Sequence, residues 1–309
     1  MPTNANFDEF VRNADGSYSW SYGSYLLHSA FQPIVEPGPN GLSIACYHGQ
    51  IRIERMGCSY APSEFLSTAD PQDLAALDGQ MAALHLANAH IYAREDATIH
   101  VARMPRFFQT RQEMTRDAAR LRSFALGAGL RPEKVVCELR LREGDNLEQA
   151  AQFTAHMRWA EFQIGIDGYA GDERDQERVR VLKPNFIRFD PAWVFDLLKT
   201  KAGAALLGVI VEQFREQNIT PLFSCLEDES SIETLEAISA PRLQGHALAR
   251  PERAPATFSD RFHVRPMPAA RDGASISPMA AAGESDNAAS ARRAAVRRAA
   301  PVFGKRGLG

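Results

Sequence analysis

Apolar and polar positions along the chain alternate between a helical and an extended period. From Asp70 to Ala93 the apolar residues Leu74, Leu77, Met81, Leu84 and Ile91 recur near every third or fourth position, with Asp70 suited to cap the helix and Pro71 to its first turn. A β-like run over Thr98–Val101 follows. The same exchange repeats: helix over Arg111–Leu126, strand over Val135–Leu139, helix over Leu147–Ala160 and strand over Gln163–Asp167. Turn-forming stretches at 127–132 and 143–146 separate them. Further on, the pattern predicts strand over Phe186–Phe189 and a helix over Trp193–Gln217 interrupted near Gly203. Strand over Thr220–Ser224, helix over Ser230–Ile238 and strand over Arg242–Ala247 complete the series.

Repeated β/α alternation of this length predicts an α/β fold, a parallel sheet with covering helices, closed as a TIM-like (β/α)8 barrel or left open as a doubly wound sheet. Without a Gly-x-Gly-x-x-Gly turn, nothing favours the open form. The placement of acids favours the barrel. Glu138, Asp167 and Asp190 each fall at the C-terminal end of a predicted strand among apolar neighbours, and in a barrel those ends converge on one mouth. Each alone is also explained as a helix cap or loop carboxylate; three in register point to a shared site.

Composition alters this picture mainly at the ends. The chain has 309 residues, 45% hydrophobic and 24% charged, enough to bury a full core without disulfides. The cysteines Cys46, Cys58, Cys137 and Cys225 are far apart, without zinc-ligand spacing, and read as free thiols in a reducing compartment. Neither a basic-then-apolar leader nor a run of about 20 apolar residues is visible, so a cytoplasmic chain without a membrane segment is expected. Net charge is −3, yet the stretch from Arg292 to Gly309 is basic and carries no acid. Residues 256–309 are rich in Ala, Pro, Gly, Ser and Arg and are expected to be a disordered tail. Within it, 289–300 is suited to become helical against an acidic partner or nucleic acid, although a solvated tail without a role is the plainer expectation.

Phe31-Gln32-Pro33-Ile34-Val35 resembles the opening strand of the EAL family. Leu182 to Asp190, reading LKPNFIRFD, is similar to that family's strand with a lysine and a metal-binding aspartate. Leu243 to Pro251, reading LQGHALARP, resembles its closing Gln-Gly strand and following Arg-Pro. The resemblance implies an EAL-type barrel over 31–255, preceded by an N-terminal extension over 1–30. Active members hydrolyse cyclic di-GMP to pGpG with two divalent cations, Mg²⁺ or Mn²⁺.

Several of the positions implied by this resemblance are changed. His48-Gly49-Gln50 stands where the namesake Glu-Ala-Leu belongs, just before a retained Arg52, and His100 takes the place of a metal-binding asparagine. Glu138 and Asp167 are kept, but Gly168 replaces the next aspartate and Ser224 a glutamate, while Glu227 remains. Arg188 replaces the lysine credited with activating water. Two closely spaced divalent cations need many anionic oxygens, and arginine does not give up its proton. The resemblance therefore implies a non-catalytic signalling module that binds cyclic di-GMP or a protein partner. Gln32, Arg52, Arg188 and Gln244 are the candidate ligand contacts; for Gln32 and Gln244, satisfying buried strand-end amides is an equal alternative. Glu138, Asp167, Asp190 and Glu227 are the residual metal-site candidates. A weak phosphodiesterase remains an alternative, as does an enzyme in which His48 and His100 join the carboxylates around Zn²⁺, Fe²⁺ or Mn²⁺. A homodimer is compatible with the family.

Overall fold

The computed structural model describes residues 7–39, 41–89, 98–253 and 258. The expected tail helix over 289–300 and the end of the predicted helix at Ala93 lie outside them. After a single 3-10 turn come the short strands β1 (Val11–Arg12) and β2 (Tyr18–Tyr22), then the long β3 (Tyr25–Gly38), β4 (Gly41–Arg55) and β5 (Cys58–Tyr60). Helices α1 (Pro62–Thr68) and α2 (Leu74–Ala89) follow. Strand and helix then alternate: β6 (Thr98–Arg103), α3 (Arg111–Gly127), β7 (Val135–Arg140), α4 (Leu147–Trp159), β8 (Gln163–Tyr169), α5 (Glu173–Leu182) and β9 (Phe186–Phe189). The series ends with α6 (Pro191–Leu198), α7 (Lys201–Glu216), β10 (Thr220–Leu222), α8 (Glu229–Ala237) and β11 (Glu252–Arg253).

The sheet runs β3-β4-β6-β7-β8-β9-β10, with β3 antiparallel to β4 and every later pair parallel. It closes on itself through Leu243, which bridges Val35 on one side and Phe223 on the other. The result is a TIM-like barrel whose first strand is reversed. The strand expected over Arg242–Ala247 shrinks to this bridge, because Gln244 and Gly245 bend away to pack on Leu226, whose backbone oxygen lies 2.0 Å from where a Cβ on Gly245 would be. The N-terminal hairpin adds β2 to the outer edge of β3 and buries Phe10 and Leu27. Because β3 begins at Tyr25, the junction expected between extension and barrel falls inside one strand. At the other end Phe258 is buried against Tyr47, so packing reaches beyond residue 255.

Local chemistry explains the helix boundaries. Thr110 and Glu113 form a capping box on α3, Asn146 caps α4, Thr200 caps α7 and Asp228 caps α8. Asp70 spends its carboxylate on a turn, accepting from the Gln72 amide at 2.9 Å, so the helix after it starts at Leu74. The break between α6 and α7 lies at Thr200 rather than Gly203. Gly203 is what lets the two helices meet, since a Cβ there would lie 2.1 Å from the Leu197 oxygen. Helix α5 has no apolar period and was not foreseen; Asp172 caps its start and Lys183, at φ 45°, its end.

Two large apolar clusters lie between strands and helices, one under α2, α3 and α4 and one under α6, α7 and α8. Between the first cluster's helices, Arg103 is fully buried, bonded to Asp78 at 2.7 Å and Asp117 at 2.6 Å, with Phe108 and Phe153 against its guanidinium. A third, small cluster joins Ile34, Cys46 and Leu222 of three neighbouring barrel strands. No helix among the described residues is long and apolar enough to cross a membrane.

Candidate functional site

Parallel strands aim alternate side chains into the barrel, and here the inward positions near the mouth are polar. The register sets Ala102 of β6 beside Glu138 of β7, and Glu138 beside Gly165 of β8. These two small residues flank Glu138, and a Cβ on Gly165 would rest against it, 3.5 Å from the Glu138 Cγ. Arg188 of β9 clamps that carboxylate. Its Nε and Nη2 donate to the two oxygens of Glu138 at 2.5 and 3.1 Å, and its Nη1 donates to Oε1 of Gln244 at 2.5 Å. All three residues are buried. Burial, the largest single influence, would raise the Glu138 carboxyl, but the charge of Arg188 together with His100 and His48 outweighs it and holds the group well below the usual carboxylate range.

An amide network continues around the wall. Oε1 of Gln32 accepts from Gln50 at 2.9 Å and from Gln244 at 3.0 Å, while the Gln32 amide donates to the Ala249 oxygen at 2.9 Å. His48 meets Gln244 through Nδ1 at 3.2 Å and stands 3.9 Å from Glu138. Burial, then the charge of Arg188, push its imidazole well below the ordinary value, so it is neutral. Nearer the opening, Arg140 pairs with Asp167 at 3.3 Å, and Arg188 lies 3.8 Å from the same carboxylate. Burial, then the Glu138 charge, raise Asp167.

These groups open into a cavity of about 480 Å³ whose wall includes Gln32, His48, Arg52, Asp167, Arg188, Ser224, Glu227 and Gln244. The cavity therefore brings together most of the residues singled out in the sequence. His100 is displaced from the position the resemblance implies: it is fully buried, 3.7 Å from Glu138, and Ala102 is the residue of β6 on the cavity wall. The cause is register, since the residue level with Glu138 lies two positions after His100. Asp190 is spent as the N-cap of α6, accepting from the Trp193 amide at 2.9 Å. Arg188, expected to offer a free fork to phosphate, has that fork occupied by Glu138. Arg140 and His85 also line the cavity and were not singled out beforehand. Arg140 follows Glu138 by two in a strand, a spacing that does place it on the same face.

The profile of the EAL domain family matches residues 25–251. The chain belongs to the EAL domain family. No curated protein matches it. Among solved structures, a Klebsiella pneumoniae BlrP1 calcium/cy-diGMP complex superposes with TM-score 0.63 at 20% identity, covering 74% of this chain and 56% of that one. The Xanthomonas citri FimX EAL domain in complex with c-diGMP gives 0.61 at 19%, over 74% and 88% of the two chains. The Bacillus subtilis YkuI protein, with an EAL domain and in complex with substrate c-di-GMP and calcium, gives 0.63 at 16%, over 76% and 59%. The matched region thus spans little more than half of BlrP1, and identities this low establish the fold.

Complexes of BlrP1 contain calcium or manganese, and the YkuI complex contains calcium. The residues of this chain do not fit such ions. Among the described residues no group of three or more His, Cys, Asp and Glu side chains is placed to hold one. Glu138 is already neutralised by a guanidinium, Asp167 by Arg140, and Asp190 faces a helix end.

Proposed function

We propose that the mouth of this EAL barrel binds cyclic di-GMP as a signal and leaves it intact. The observation that carries this reading is the clamp of Glu138 and Gln244 on Arg188. A guanidinium fixed in that position keeps its proton and cannot serve as a base. Its single positive charge is spent on a carboxylate, leaving little to lower the pKa of a water molecule, the step that a metal ion supplies in hydrolysis.

What surrounds the clamp suits binding. Arg52 faces the cavity with only a 3.5 Å contact to Gln50, and the guanidinium of Arg140 is half-exposed at the rim, so both can turn a donor toward phosphate. The amides of Gln32, Gln50 and Gln244 fix the wall behind them. The complexes of BlrP1, FimX and YkuI with the dinucleotide support the choice of ligand. On this reading the chain works in the cytoplasm and passes its bound state to a protein partner.

Isothermal titration of the full chain with cyclic di-GMP, with EDTA and with Mn²⁺, is expected to give the same affinity in both, and chromatography to detect no pGpG. Turnover of about 1 s⁻¹ or more with Mn²⁺ would overturn the reading, as would the absence of heat at about 100 µM ligand, a concentration at which even weak specific sites fill.

A further inference from the structure

The end of the barrel opposite the mouth is built from helix C-termini. Because the strands from β4 to β10 run parallel, α3, α4 and α5 all finish where the next strand begins, and so at that one end. Hydrogen bonds tie the neighbouring ends together. Nε of Arg122 in α3 donates to Glu161, just beyond α4, at 3.0 Å, and Gln163 donates to the Glu133 oxygen at 2.6 Å. Nη2 of Arg158 in α4 donates to the Leu182 and Lys183 oxygens at the end of α5, at 2.6 and 2.5 Å. The three ends therefore make one continuous surface.

Two large apolar side chains stand out from it. Trp159, the last residue of α4, is 68% exposed, and Leu126, in the last turn of α3, is 44% exposed. Helix α4 packs through Ala150, Phe153 and Met157, and α3 through Met114, Leu121 and Phe124, so neither exposed residue belongs to the stripe that holds its helix to the barrel. The charge around them is one-sided. Glu161 and Glu133 are neutralised by Arg122 and Arg131, whereas Lys134, Arg158 and Lys183 pair with no carboxylate among the described residues. This end of the barrel is thus positive on a chain whose net charge is −3.

An exposed indole among uncompensated cations suits an anionic lipid surface, where the ring sits at the boundary of polar headgroups and apolar chains and the cations meet phosphates. An acidic protein would have to supply a fitted pocket for each projecting side chain; a bilayer receives them without one. The clefts at the mouth, beside the start of α5 and between α5 and α7 include neither Trp159 nor Leu126. We propose that the barrel end formed by the C-termini of α3, α4 and α5 rests on an anionic bilayer, with Trp159 and Leu126 entering the headgroup layer and Lys134, Arg158 and Lys183 facing lipid phosphates. The mouth then points away from the membrane and stays open to solvent. This attachment does not depend on what the mouth binds.

The test mixes the full chain with vesicles of phosphatidylcholine alone and of an equimolar mixture with phosphatidylglycerol. Binding is read by co-sedimentation, and depth by quenching of tryptophan fluorescence with lipids brominated on the acyl chain. Binding and quenching are expected with the anionic vesicles only. Trp159→Ala should abolish the quenching and weaken binding about tenfold, the worth of withdrawing roughly 60 Å² of apolar surface from water. Lys134→Glu combined with Lys183→Glu should weaken it by more than about 25-fold, at about fivefold for each charge lost. Both variants change surface positions and should melt with the wild type. The basic stretch from Arg292 to Gly309 is a competing anchor. Binding to anionic vesicles without quenching, or either variant binding as tightly as the wild type, assigns attachment to that stretch and overturns the proposal. Absence of sedimentation with both vesicles overturns it as well and leaves the face to an acidic protein.

Discussion

Replacing Arg188 by Met keeps most of its length and removes its charge. Glu138 would then lose both charge-assisted bonds and be left with neutral His48 at 3.9 Å and His100 at 3.7 Å, with no arginine or lysine in contact. Stranding one member of a buried ion pair costs about 3–5 kcal/mol. Glu138→Gln strands Arg188 less completely, because Asp167 stays 3.8 Å away and Gln244 still accepts, so about 2–3 kcal/mol is expected. The double variant removes both charges and should lose only about 1–2 kcal/mol, giving a coupling of more than about 3 kcal/mol. Urea unfolding followed by tryptophan fluorescence and by circular dichroism measures all four corners of the cycle.

The pH dependence gives a second, independent sign. In the native protein the Glu138 pKa is depressed, so its contribution is full above the ordinary glutamate pKa of about 4.3 and is lost as pH falls toward the lower folded value. In Arg188→Met burial is opposed only by His100 and His48, the carboxyl shifts upward, and acidification should relieve the stranded charge. Between about pH 7 and pH 5 the variant should gain stability while the native protein changes little. A coupling below about 0.5 kcal/mol, or parallel pH profiles, would refute the clamp as the organising interaction of the mouth.

Arg103→Leu should cost about 3–5 kcal/mol, because it strands fully buried Asp78 beside Asp117; a loss under about 1 kcal/mol in urea unfolding would show that the triad is not coupled. Gly245→Ala puts a Cβ within 2.0 Å of the Leu226 oxygen and should destabilise by more than about 2 kcal/mol and displace Gln244, read as lowered melting and weakened cyclic di-GMP binding together. Millimolar Mn²⁺ should leave the melting temperature unchanged. A site filled at about 100 times its dissociation constant would instead add about 2.7 kcal/mol, a rise of several degrees in a domain of this size. Met56→Lys, at an 89% exposed hairpin tip, should alter stability by less than about 0.5 kcal/mol, and a larger loss would mean that the tip is covered.

The strands at the mouth were legible because buried parallel strands write themselves as short apolar runs, and the helices α3 and α4 because their buried faces repeat. Helix α5 escaped since its sequence, ERDQERVRVL, is held by Asp172 and by ion pairs with little apolar face to reveal it. The polar residues around the mouth were visible as residue types, but their pairings were not. Whether Arg188 offers its fork to a phosphate or spends it on Glu138 depends on Glu138 and Gln244, which lie 50 and 56 residues away in the sequence. A shift of two residues along β6 was enough to move His100 off the cavity wall. His85 looked like one more helical residue until the fold brought it to the cavity.

Closure of the barrel depends on one residue far from the strand it completes. Leu243 exchanges backbone bonds with Val35, and the residues flanking it, Arg242 and Gln244, bond Phe223. Until that segment has been synthesised, the part of β3 that β2 does not cover and the outer side of β10 present bare hydrogen-bonding edges, and a chain stopped short of Leu243 would keep them. Joining the first barrel strand to the last also carries a large loop-closure cost that no local contact repays in advance. The final step of folding should therefore be slow, and the risk of edge-to-edge aggregation greatest just before it, with the binding wall at Gln244 assembled only as the ring shuts.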